Sequence, residues 1–194
     1  MCDRRYDWVV LSPYMFDATF SDGLSMELEV NPEFDNEEQA MALAQKYLRV
    51  IGQLPTLLRV DVDTVWIHNG FEAFGGGNRN LLIHLDQASD YENKGILEEA
   101  FIHEASHTPL NSYQATDSEW LSAQAADDQY ISTYASDFPT REDVAESFAM
   151  YYAVRHWSRG IPDGTKSIIV ATMPNRIQYF DAKLPDLGLP VNQG

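Results

Sequence analysis

"LEEAFIHEASHTPLNSY", residues 97–113, is the stretch on which the reading of this chain turns. Leu97, Phe101 and Ala105 recur at the spacing of one helical face, so the segment is expected to be a helix with a core side. His103 and His107 stand four residues apart on it. At 100° per residue they fall within about 40° of each other, one turn and about 6 Å along the axis. Both imidazoles can then reach one ion at the roughly 2.0–2.1 Å of a zinc–nitrogen bond. Glu104, beside His103, can reach a metal's water without binding the metal, which suits a general base. Pro109 has no N–H to donate and is expected to stop the helix soon after His107.

A catalytic zinc needs a third protein ligand and an open fourth position. A compact His-x-x-Gly-x-x-His continuation is closed, because position 110 is Leu and position 113 is Tyr. The other source is a carboxylate from a later helix, and "SDFPTREDVAESFAMYY", residues 136–152, offers two. Thr140 and Asp143 have the spacing of a capping box, which predicts a helix starting there. Glu142 and Glu146 share a face at i, i+4, continued by the small residues Ala149 and Ala153 and flanked by Val144, Phe148 and Tyr152. The helix dipole accounts for Glu142 and Asp143 in a first turn. It accounts poorly for Glu146, one turn further on.

Outward from these two helices the chain reads as α+β, with strands early and helices late. WVVLSPYMF and SMELEV have strand character on either side of the turn-like SDG. NEEQAMALAQKYLRVIGQL has helical spacing, with Ala40, Leu43, Ala44, Tyr47, Leu48 and Ile51 as its apolar face behind a capping Asn36. DTVWIHNG and NLLIHLD read as two strands joined by the loop FEAFGGGNR. Helices are expected over about 95–108, 117–128, 141–157 and 174–182. The glycine run lacks the Gly-Lys-Ser/Thr ending of a phosphate loop, and His68 and His84 read as packed or surface histidines rather than ligands.

With 194 residues and 44% hydrophobic composition, one domain spanning 1–194 with a sizeable core is expected. The net charge of −17 disfavours nucleic acid and anionic lipid as partners; the scattered acidic residues read first as a solvated surface, and fit a salty or extracellular setting or a cationic ligand such as a basic peptide. Cys2 alone permits no internal disulfide and no cysteine-based metal cluster. No run of about 18 apolar residues is present, so no membrane span is expected. A removed signal peptide would make the protein extracellular or periplasmic; otherwise it is expected in the cytoplasm.

His-Glu-x-x-His followed downstream by "EDVAESF" resembles the zincin peptidases of the anthrax lethal factor type, which include the Pro-Pro endopeptidases. The match covers about residues 95–155. The resemblance implies a zincin-like fold, a small mixed or antiparallel sheet packed on helices, and one zinc ion per chain held by His103, His107 and Glu146. Glu104 would be the catalytic base of an endopeptidase. In a thermolysin-like alternative Glu142 binds the metal and Glu146 supports it. These peptidases carry a Tyr shortly before the ligand helix to stabilise the oxyanion. Position 139, the first place to look, is Pro, and Tyr134 is the candidate, ahead of Tyr130 and Tyr113. The resemblance also implies that the strand before the zinc helix, residues 80–85, is a sheet edge that pairs with extended substrate. Glu98, Glu99 and His156 read as surface or supporting groups. The rival readings are a zinc hydrolase of a non-peptide amide and a zincin-like binding domain without turnover. Oligomeric state is not legible.

Overall fold

The computed structural model describes residues 1–157, 160–184 and 186–187. The fold is mixed α+β, and the chain groups into two compact units, Met1–Thr108 and Pro109–Leu187.

The first unit is built on a five-stranded sheet. A small hairpin, β1 (Cys2–Asp3) and β2 (Asp7–Trp8), precedes it. The sheet comprises β3 (Tyr14–Thr19), β4 (Ser25–Val30), β5 (Thr64–His68), β6 (Gly75–Gly77) and β7 (Asn80–His84), in the order β3-β4-β5-β7-β6. β4, β5 and β7 run parallel, while β3 and β6 are antiparallel to their neighbours. Met26, Leu28 and Val30 alternate inward along β4, and β7 is buried at every position.

Parallel β4 and β5 need a crossover, which α1 (Glu37–Ile51) and the short α2 (Thr56–Arg59) provide. Asn36 accepts the Gln39 N–H, as the cap reading requires, and Ala40, Ala44, Tyr47 and Ile51 are buried, with Leu43 and Leu48 at the margin. The unit closes with α3 (Leu85–Lys94) and α4 (Leu97–Ser106). Leu97, Phe101 and Ala105 form the expected core side of α4, and Phe101 packs against Phe74 and Tyr47.

Several expectations shift. The first strand runs over 14–19; of WVVL only Trp8 is in a strand, and it lies in the small β1–β2 hairpin. The loop FEAFGGGNR carries an edge strand, β6, turned back into β7 by Asn78 and Arg79. Both of these have positive φ, the conformation a two-residue hairpin of this hand demands. Arg79 is held there by Asp61 and Asp63. Residues 80–84 are therefore an interior strand, and the sheet edge beside them is Gly75–Gly77.

Pro109 does not end its helix. The chain passes through it as a π turn, His107–Asn111, into α5 (Ser112–Gln114). A wider turn accommodates a ring that lacks an N–H and would clash with the carbonyl four residues back.

The second unit is helical: α6 (Ser118–Ala126), α7 (Thr133–Asp137), α8 (Asp143–Arg155), α9 (Asp163–Thr172) and α10 (Pro174–Lys183). Trp120, Phe148, Tyr151, Tyr179 and Phe180 interlock in its core. The helices α2, α3, α5, α7 and α9 lie outside the segments expected from the sequence. α7 is short, and the polar run in α3 hides a single buried Ala88.

Candidate metal centre

The two histidines leave the same face of α4, four residues apart. Their rings meet edge to face, and His103 Nε2 lies 3.2 Å from His107 Nε2. Two ligands at about 2.05 Å on a tetrahedral ion stand about 3.3 Å apart. The pair thus already has the spacing that one zinc ion would impose. Both side chains are half-buried, and Ser106 donates to the His103 carbonyl, tightening the turn between them.

Glu104 sits next to His103 and is also half-buried. Its backbone lies directly against β6: a β-carbon on Gly76 would overlap the Glu104 carbonyl oxygen and come within 2.9 Å of its Cα. The glycine run is therefore the means by which the sheet edge approaches the helix bearing the histidines. Tyr91, from α3, packs on Phe74 and feels the Glu104 charge. Burial first, then Glu104, holds its phenol above the ordinary range. Sequence reasoning missed Tyr91, because α3 itself was not legible.

Glu142 is buried at the N-cap position of α8. Its Oε1 accepts from the Tyr134 hydroxyl at 3.1 Å and from Arg141 Nε at 2.9 Å, and the Arg141 guanidinium stacks on Phe138. Tyr134 is held above its ordinary phenol value by burial and then by the Glu142 charge. The Thr140 capping box does not form; α8 begins at Asp143 with no side-chain cap. Glu146 consequently lies in the first turn, half-buried, where the helix dipole does favour a carboxylate. The objection to a purely structural Glu146 loses its force.

One group of His, Cys, Asp and Glu side chains among the described residues could hold a metal ion: His103, His107 and Glu142. Two imidazoles and a carboxylate are the donor set of many catalytic zinc sites. Glu146 is not in that group. Of the other residues singled out, Tyr113 is exposed and Tyr130 lies against Arg176. Glu98 and Glu99 are on the surface, and His156 sits at the C-cap of α8 beside Tyr152.

His68 and His84 are packed, as expected. Both are fully buried and stacked 5.4 Å apart at the ends of β5 and β7. His68 Nδ1 meets Asn31 at 2.9 Å and Asp3 at 3.4 Å, while His84 Nδ1 meets the Asn69 carbonyl at 2.8 Å. No helix of the described residues is long and apolar enough to cross a membrane. Against known proteins, the chain matches no family model, no curated protein and no solved structure.

Proposed function

We propose that the chain is a zinc-dependent endopeptidase of the lethal factor type, with His103, His107 and Glu142 as metal ligands and Glu104 as general base. The observation that carries the reading is the 3.2 Å separation of the two Nε2 atoms on a helix whose adjacent residue is a glutamate. Glu142 takes the role that the family resemblance gives to Glu146. Its support is membership of the candidate metal group and the two hydrogen bonds that hold its carboxylate.

Zinc bound to these ligands would polarise a peptide carbonyl and acidify a water. Glu104 would accept a proton from the attacking water and return it to the departing amine, so that carboxylate would work first as base and then as acid. The Tyr134 hydroxyl, a donor held beside Glu142, serves the developing oxyanion. Gly75–Gly77, the last strand of the sheet among the described residues, would offer backbone groups to an extended peptide. A net charge of −17 favours cationic sequences among such peptides.

Metal analysis of the purified protein with Glu104→Ala, Glu142→Ala and Glu146→Ala variants tests this reading, together with a peptide-library assay. About one zinc per chain is expected in the wild type. Glu142→Ala should lose it, while Glu104→Ala should keep it and lose hydrolysis. Zinc lost only from Glu146→Ala would restore the ligand set that the resemblance implies. Wild-type protein that takes up no zinc would overturn the enzyme reading.

A further inference from the structure

The start of α8 is held by an unusual device. Arg176, in the first turn of α10, is fully buried and joins two buried carboxylates. Its Nη1 donates to Asp143 Oδ1 at 2.6 Å and its Nε to Asp127 Oδ2 at 2.9 Å. Asp127, from the chain after α6, also accepts the backbone N–H groups of Asn175 and Arg176 and so anchors the N-terminus of α10. Arg176 donates besides to the Gln129 carbonyl and lies under the Tyr130 ring. Asp143 takes further bonds from Ser147 Oγ at 3.1 Å and Gln124 Nε2 at 2.8 Å. Gln124 also reaches the Pro139 carbonyl at 3.2 Å, in the segment leading to Glu142.

Net stability does not explain such a cluster, since a buried ion pair rarely outperforms well-packed apolar residues of similar volume. What it supplies is register. α8 has no side-chain cap, because the residue at its N-cap position turns its carboxylate to Tyr134 and Arg141. Asp143 follows that residue directly, so whatever fixes Asp143 fixes the backbone from which Glu142 projects. We propose that Asp143, clamped by Arg176 and Gln124, is the positioning residue for the Glu142 carboxylate, setting the affinity of the site for zinc.

This inference rests on the reading of Glu142 as a ligand. Ligands left without their supporting hydrogen bonds typically lose about 10–100-fold in metal affinity. The test is zinc competition against a chromophoric chelator, on full-length Asp143→Asn, Gln124→Met and Arg155→Met. Circular dichroism fixes a temperature at which each variant is fully folded. Arg155 pairs with Asp181 at the far end of α8 and serves as the control. Asp143→Asn should weaken zinc binding about tenfold or more. Gln124→Met, which leaves the ion pair intact, should weaken it by a smaller factor of about three, and Arg155→Met not at all. A purely structural clamp would lower the melting temperature and leave the zinc affinity of the folded variants at the wild-type value, which would sink the inference. Should Asp143→Asn fail to fold, unchanged affinity in Gln124→Met overturns it equally. If Glu142→Ala itself binds zinc like the wild type, the ligand reading has failed instead, and the inference falls with it.

Discussion

Gly76 of β6 and the Glu104 carbonyl of α4 are in such close approach that even one methyl group cannot stand between them. Neither partner can yield cheaply, because one is strand backbone and the other helix backbone. Gly76→Ala should therefore destabilise the protein by about 1–3 kcal/mol through overpacking. At this chain length that corresponds to roughly 2–12 °C in melting temperature. A thermal melt unchanged within error would show that sheet edge and helix are not so tightly apposed.

Buried His68 gives a pH dependence. Burial lowers the pKa of His68, partly offset by the Asp3 carboxylate, with Arg5, Glu33 and His84 as the other charged or titratable neighbours. A lowered histidine binds fewer protons folded than unfolded. Its contribution is fully present above about pH 6.5 and is lost as pH falls toward the folded value. His156 is lowered too, by burial, and acts in the same direction. Urea unfolding should accordingly show stability declining below pH 6.5, with buried His68 contributing up to about 1.4 kcal/mol per pH unit. His68→Gln should flatten that decline between pH 6.5 and 5. An equally steep profile in the variant would remove His68 as its source.

Tyr134 touches Glu142 in the resting protein, so its hydroxyl has two conceivable duties. Tyr134→Phe separates them. As an oxyanion donor it should lower kcat about 10²-fold even at saturating zinc. Were it only a support for the carboxylate, zinc affinity would fall and kcat at saturation would hold.

The cap of α1 is the simplest case. Asn36 accepts one N–H that has no helical partner, and its bond to Gln39 is 3.0 Å. Asn36→Ala should cost about 1 kcal/mol, read as a lowered urea midpoint with an unchanged slope.

The α+β class, the α1 cap, the core side of α4 and the pairing of His103 with His107 on one helical face were legible in the sequence, because each rests on local periodicity or on a single helical turn. The helix start at Asp143 was not. The Thr140 box was a reasonable local signal, but a buried arginine about thirty residues downstream outweighs it. The same limit governed residues 80–84: a short apolar run after a turn signal marks a strand, yet whether it lies at an edge depends on Gly75–Gly77 folding back beside it.

What the sequence alone determined is the chemistry on offer, His103 and His107 one turn apart with a glutamate between them. By spacing alone Glu142 and Glu146 are equivalent, four residues apart on one helical face, and only tertiary structure distinguishes them. Glu142 stands buried at the N-cap of α8 with its carboxylate held by Tyr134 and Arg141, while Glu146 lies half-buried in the first turn. A local code can set residues on one face of a helix; only packing decides which of them is desolvated, held and ready to meet a charge.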